Sequence, residues 1–354
     1  MPARRSRRTA AAALALVAAL LVGLLGCSSE QSASTSTTTR VLRAADVVAA
    51  PSSGCGAATT APVPTFGAPG RTKVLVDRPD GSRWSYLSAP PADDGQTPLP
   101  LVLDLHGYSE GADVHLQFTK MAELGNRAGF FTVTPQGSGA TAFWNSFGQP
   151  APDDVAFLTA LVDRVAATHC VDLRRVYVDG MSNGAFMTSL LICRRPDVFA
   201  AGVAVAGLQM PEGCRSGTPV PVMAMHGTDD NFVRYEGGFG DGVRTLGVDP
   251  NVASTAGRNM SVPDAAEGWA VRNGCRVDPT TKKVAADVEL LDWPGCRATT
   301  ELYVVAGGGH SWPGSAFSKN ISDIVGATTE SIDATELAWR FFAAHPKSGA
   351  VAPR

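Results

Sequence analysis

The sequence predicts an α/β fold, a mainly parallel sheet with helices on both faces, gathered into a single domain. From Arg71 onward, short apolar runs bounded by turn residues alternate with longer stretches of helical period. Several runs are apolar without a break, as strands buried on both faces must be. A composition of 44% hydrophobic and 18% charged residues is that of an ordinary globular chain, which excludes collagen-like, coiled-coil and wholly disordered molecules.

Taken in order, the strands Lys73–Val76 and Trp84–Leu87 have no helical stretch between them and predict an antiparallel start. The run Leu99–Leu105 is followed by a helical pattern over Val114–Arg127, a strand at Phe130–Thr134 and a helix over Asp154–Thr168. Asp153 and Asp154 suit the N-cap and first turn of that helix. The strand Arg175–Asp179 passes almost directly into a helix over Asn183–Cys193. Strands at Val203–Ala206 and Val220–Met225, a helix over Val262–Asn273, a strand at Glu301–Val305 and a helix over Ser331–Ala343 complete the pattern. The domain so outlined spans 66–346, with 347–354 as a tail.

Residues 1–26 read as an export signal. Arg4, Arg5, Arg7 and Arg8 precede an apolar run from Thr9 to Gly26, a basic n-region and an h-region. The run ends in Leu24-Leu25-Gly26-Cys27, which resembles the bacterial lipoprotein signal. That resemblance implies lipidation of Cys27 as the first residue of the mature chain, and membrane attachment through this anchor only. A simple signal peptide or an uncleaved apolar helix is the other reading. Residues 27–65, with the Ser/Thr run Ser32–Thr39, have little apolar side chain to bury and read as a tether. Losing the four arginines of residues 1–26, which hold no acid, takes the formal charge from −3 to −7. So acidic a domain is a poor match for a phosphate backbone, which excludes nucleic acid as partner.

Cysteine usage agrees with export. Beside Cys27 there are six, Cys55, Cys170, Cys193, Cys214, Cys275 and Cys296, an even number with no C-x-x-C spacing that would point to a metal. Six cysteines allow too many connectivities for spacing to choose among them. Pairing neighbours gives Cys193–Cys214 and Cys275–Cys296, which leaves Cys55–Cys170.

Two G-x-S-x-G pentapeptides occur, Gly107–Gly111 and Gly180–Gly184. Only the second lies directly between a predicted strand and a predicted helix. There a serine sits in a tight turn at a helix N-terminus, where free amides and the helix dipole favour an oxyanion. Ser182 is therefore the candidate nucleophile and Ser109 a loop residue. A serine hydroxyl needs a histidine to take its proton and a carboxylate to orient that histidine. Three histidines follow Ser182. His345 lies beyond the last helix and reads as a solvated tail residue. His226 ends a strand and reads as a brace for the loop that follows it. His310, after Glu301–Val305 and a glycine run, is the candidate base. The acid is Asp229 or Asp230, and spacing does not choose. The oxyanion donors are the backbone N–H groups of Asn183 and Tyr108, the latter in the loop after the third strand. His106 reads as bonded within that loop.

Together these blocks resemble the secreted polyhydroxybutyrate depolymerase and feruloyl esterase family of α/β-hydrolases, which includes acetylxylan-type carbohydrate esterases. The matching pieces are Leu105-His106-Gly107, Asp153-Asp154-Val155, Arg175-Val176-Tyr177-Val178, Gly180-Met181-Ser182-Asn183-Gly184, His226-Gly227-Thr228-Asp229-Asp230, Asn273-Gly274-Cys275 and Gly309-His310-Ser311-Trp312-Pro313-Gly314. The resemblance implies the α/β-hydrolase fold and a cofactor-free serine esterase. It places the acid four residues after the strand-end histidine, at Asp230, and supports the pair Cys275–Cys296. Ala185 and Arg234 depart from the family pattern, and Tyr235–Val262 is a long Gly- and Asn-rich stretch. Trp312 and Trp144 are candidates for an aromatic wall beside an acyl or phenolic group; packing in the core is their other reading.

The expected activity is hydrolysis of polyhydroxyalkanoate-, feruloyl- or acetyl-type esters through an acyl-enzyme. A peptidase with a gating domain, a lipase with a long apolar lid and an enzyme with a polymer-binding module are not expected from a sequence of this length and pattern. The competing expectation is an envelope lipoprotein that binds glycans or a protein partner without turnover.

Overall fold

The computed structural model describes residues 47–57, 71–77, 82–147, 151–248, 259–276, 278–349 and 351–354. Contacts divide the chain into Met1–Val41, which lies outside the described residues, and Leu42–Arg354, which holds all of them. The expected signal, Cys27 and the Ser/Thr run lie outside as well. Among the described residues, no helix is long and apolar enough to cross a membrane.

Among the described residues, ten strands form one sheet in the order β1-β2-β4-β3-β5-β6-β7-β10-β9-β8. Its centre is parallel: β4 (Phe131–Pro135), β3 (Leu99–Leu105), β5 (Val171–Met181), β6 (Ala201–Val205), β7 (Val222–Gly227) and β10 (Thr300–Val305). Antiparallel pairs finish both sides, β1 (Arg71–Val76) with β2 (Arg83–Ser88), and β9 (Val288–Asp292) with β8 (Thr280–Ala285).

Alternate residues of the central strands feed two cores. Leu101, Leu103, Val176 and Val178 face α3 (Asp154–Ala166), α4 (Asn183–Arg194) and α5 (Val262–Asn273), where Phe157, Met187 and Trp269 are buried. Val102, Tyr177, Val203 and Met223 face α1 (Gly111–Thr119), α2 (Met121–Ala128) and α8 (Ala334–Ala344), with Phe118, Met121 and Phe342. Covering both faces is what allows these strands to be continuously apolar. The fold is thus the mostly parallel, helix-covered sheet that the sequence predicts.

The differences have local causes. The single helix expected over Val114–Arg127 is two, because Lys120 adopts φ 51° and separates α1 from α2. Thr119 is tied down there: its Oγ1 donates to Asp104, and its carbonyl accepts from Thr335 in place of a helix amide. The hairpin β8–β9 was not expected, since β8 is exposed and carries no apolar run. Two short helices, α6 (Ala316–Asn320) and α7 (Ser322–Val325), also lie outside the predicted set.

Both ends of the expected domain extend further than predicted. Residues 47–57, assigned to the tether, already belong to the folded unit. Pro51 bridges Asp172, Ser52 N–H donates to Val171 O at 2.9 Å, and Cys55 is bonded to Cys170. The tail returns as well, Lys347 N–H donating to Arg174 O at 2.9 Å and Arg354 pairing with Asp163 and Asp197. His345 is half-buried rather than solvated, its ring nitrogens on Thr299 Oγ1 and Phe341 O, each at 2.7 Å. The other two disulfides are Cys193–Cys214 and Cys275–Cys296.

Candidate active site

Because β3, β5, β7 and β10 are parallel, the loops that leave their carboxyl ends emerge on one edge of the sheet, where α/β folds place their sites. Those loops carry Tyr108, Ser182, Asp230 and His310.

Ser182 joins β5 to α4 with φ 56° and ψ −118°, a conformation that costs a non-glycine residue about 1–3 kcal/mol. The surroundings hold it there: its N–H donates to Val205 O at 2.9 Å and its carbonyl accepts from Phe186 N–H at 3.0 Å. The flanking glycines are required by space. A Cβ on Gly184 would lie 2.1 Å from Leu105 O, and one on Gly180 would lie 2.6 Å from the Gly184 carbonyl carbon. Asn183 is the first residue of α4, so its N–H has no acceptor within the helix. Its side chain is engaged elsewhere, accepting from Trp144 N–H at 2.7 Å and donating to Trp144 O at 3.0 Å.

The two candidate acids differ in burial. Asp229 is exposed, whereas Asp230 is 4% exposed and its Oδ2 lies 2.8 Å from His310 Nδ1. Asp230 Oδ1 accepts from Phe232 N–H at 2.8 Å and Val233 N–H at 2.9 Å. His226 Nε2 lies 2.8 Å from Val233 O and 3.3 Å from Asp230 Oδ2, so it braces both the loop and the acid. Burial pushes the Asp230 carboxyl up, but His310 and His226 outweigh it and hold the group below the usual carboxylate range. An ionised Asp230 accepts from Nδ1–H of His310, which leaves Nε2 as the imidazole's free base. Phe232 stacks on that ring at 4.8 Å and 18°. Sequence reasoning missed Phe232, although its place two residues after the acid is the available signal.

The Tyr108 loop is fastened to the same region. Gly137 N–H donates to His106 Nε2 at 2.9 Å, so Nδ1 carries the proton and donates to Gly107 O at 2.7 Å. Burial pushes this imidazole down to about 4, consistent with a neutral bracing residue. A Cβ on Gly107 would sit 3.5 Å from Ser182 Cβ, so the loop packs directly on the serine.

The aromatic wall expected from Trp312 and Trp144 is not found. Each is 1% exposed, Trp144 donating from Nε1 to His106 O and Trp312 to Thr335 Oγ1, both at 2.9 Å. Both indoles are core residues whose polar edge is satisfied internally. Phe147 is 39% exposed instead, its ring 5.3 Å from that of Phe186, one turn along α4 from Ser182. Among the described residues, no group of three or more His, Cys, Asp or Glu is arranged to hold a metal.

The fold is that of the α/β-hydrolases, and the comparisons with known proteins support a carboxylic ester hydrolase. Residues 84–236 match the family described as esterase PHB depolymerase. The chain is 33% identical over 175 residues to poly(3-hydroxyalkanoate) depolymerase C of Paucimonas lemoignei, covering 47% of this chain and 39% of that protein. It is 28% identical over 166 residues to feruloyl esterase B of Piromyces equi, covering 45% and 29% respectively. The chain thus spans well under half the length of these two relatives. An acetyl xylan esterase from Aspergillus awamori shares the fold with a TM-score of 0.52 at 15% identity, over 71% of this chain and 98% of its own.

Proposed function

We propose that the protein hydrolyses carboxylic esters through an acyl-enzyme on Ser182, with His310 as base and Asp230 as its orienting acid. The observation that carries this reading is the pairing of a buried, ionised Asp230 with His310 on loops at the same sheet edge as a strained Ser182. His310 Nε2 takes the Ser182 proton as Oγ attacks the ester carbonyl. The backbone N–H groups of Asn183 and Tyr108 hold the resulting oxyanion. His310 then gives its proton to the leaving alcohol, water repeats the sequence on the acyl-enzyme, and Ser182 is regenerated. The chemistry needs no cofactor.

The relatives support polyhydroxyalkanoate, feruloyl and acetyl esters as the substrate class. Three disulfides fit a protein exported to an oxidising compartment. In this reading residues 1–26 are removed and Cys27 carries the lipid that holds the enzyme to the envelope.

A fluorophosphonate probe and a series of p-nitrophenyl esters test the proposal. Labelling of the purified protein at Ser182, with hydrolysis lost by about 10⁴-fold or more in Ser182→Ala, is the expected result. A folded protein that neither reacts with the probe nor turns over any ester would favour a binding lipoprotein instead.

A further inference from the structure

Behind the oxyanion loop lies a set of buried ionisable groups that the chemistry above does not use. Asp104 on β3 and His115 on α1 have fully buried side chains, and the Glu110 side chain is 15% exposed. His115 Nε2 lies 2.8 Å from Asp104 Oδ1, and His115 Nδ1 lies 3.2 Å from Glu110 Oε2. Glu110 Oε2 also accepts from Gly107 N–H at 2.5 Å. Thr119 Oγ1 secures the far end, donating to Asp104 Oδ2 at 2.9 Å. Asp179, three residues before Ser182, pairs with Asp104 across β3 and β5.

A carboxylate has no proton to donate, so an imidazole between two of them is satisfied only when both its nitrogens carry hydrogen. Burial would push the His115 imidazole down, but Asp104 and Glu110 raise it to about 10. Burying such charges costs more than an apolar filling of the same volume commonly would, which calls for a return elsewhere. The chain of contacts ends on one backbone group, the Gly107 N–H. The carbonyl of the same residue is held by His106, so both ends of Gly107 are fixed. The next peptide unit is planar and shares that carbonyl, so fixing it fixes the direction of the Tyr108 N–H. Ser109 with φ 60° and Gly111 with φ 72° turn the loop so that the Glu110 side chain folds back onto Gly107.

We propose that the Asp104–His115–Glu110 chain positions the oxyanion loop, with Glu110 as the residue that aims the Tyr108 N–H at the developing oxyanion. This rests on the assignment of Ser182 and Tyr108 above. Glu110 is a positioning residue: it acts through Gly107 and touches no reacting atom. An N–H displaced from the oxyanion loses transition-state stabilisation while ground-state binding is little changed, so the effect falls on kcat.

The test compares wild type, Glu110→Ala and Glu110→Gln on p-nitrophenyl acetate, with a trifluoromethyl ketone as analogue of the tetrahedral intermediate. Glu110→Ala is expected to lower kcat about 10- to 100-fold with KM within about twofold, and to weaken the ketone by the same factor as kcat/KM. Glu110→Gln keeps an acceptor for Gly107 N–H but loses the carboxylate that pairs with His115, and should give a kcat about three- to tenfold below wild type. A folded Glu110→Ala enzyme with kcat within threefold of wild type overturns the proposal, as does a loss confined to KM. Should Glu110→Ala not fold, a Glu110→Gln enzyme indistinguishable from wild type in kcat and ketone affinity overturns it equally. Hydrogen exchange at the Gly107 amide reads the clamp without any substrate. Its protection should fall in either folded variant, and unchanged protection overturns the proposal. Wild-type hydrolysis that survives Ser182→Ala would instead overturn the parent assignment, with the amide protection still reporting whether Glu110 holds the loop.

Discussion

Ser182 and Asp230 illustrate how much depends on single residues here. Asp230 has two duties, ordering its own turn through Oδ1 and orienting His310 through Oδ2. Asp230→Asn keeps an acceptor for the turn but replaces an ionised partner of His310 by a neutral amide. A fall in kcat of about 10²- to 10⁴-fold with the fold retained is expected, measured by p-nitrophenyl ester kinetics beside circular dichroism. The serine was legible in the sequence because strand, pentapeptide and helix are contiguous. Spacing left the acid open between two adjacent aspartates, since it does not reveal that one is exposed and its neighbour buried, and only the family resemblance pointed to Asp230. The Asp104–His115–Glu110 chain was missed because its members come from a strand, a loop and a helix. Its signal was present in Asp104 and Asp179, carboxylates inside otherwise apolar buried strands and paired in register. For Trp144 and Trp312, proximity to motifs in sequence says nothing about which side of the loop the indole takes.

Among the elements, the turn from β5 into α4 is held by backbone-to-backbone approach. A methyl on Gly184 meets the Leu105 carbonyl of the neighbouring strand, which has no free volume to yield. Gly184→Ala is expected to cost about 1–3 kcal/mol in urea unfolding and to lower activity further, because relief requires α4 to move away from β3. The disulfides differ in what they close. Cys55–Cys170 spans 115 residues and Cys275–Cys296 spans 21. Replacing the first pair by alanine should therefore destabilise the protein more, by about 5 kcal/mol against about 3 kcal/mol for the second on loop-closure grounds. Comparing both variants by denaturant titration checks the order. The central strands and α3, α4 and α5 were readable from apolar periodicity, which burial on defined faces imposes. The β8–β9 hairpin was not, because an exposed edge pair with Lys282 and Lys283 needs no apolar pattern.

At the scale of the molecule, the buried imidazolium links stability to pH. His115 is raised in the fold to about 10 from an ordinary value of 6.5, through Asp104 and Glu110, with Asp179 next to Asp104 pushed well above the carboxylate range by burial. Between these two values the folded state holds a proton that the unfolded state has released. The contribution is complete below about pH 6.5 and is lost as pH rises toward 10. The melting temperature is expected to decline over that window, and to decline less steeply in His115→Gln. A variant with the same slope as wild type would assign the decline to other groups.

The ends of the strands divide the labour of the molecule. Cys170 precedes the amino end of β5 and holds Cys55 there, while Ser182 follows the carboxyl end; with Val171 opposite Leu99 and Gly180 opposite Leu105 on β3, these ends are about 20 Å apart at about 3.3 Å per residue. The disulfide that fastens the amino-terminal segment and the serine proposed as nucleophile therefore stand at opposite ends of one strand. Changing the length of the segment before Val47 is therefore expected to leave turnover at Ser182 unaltered.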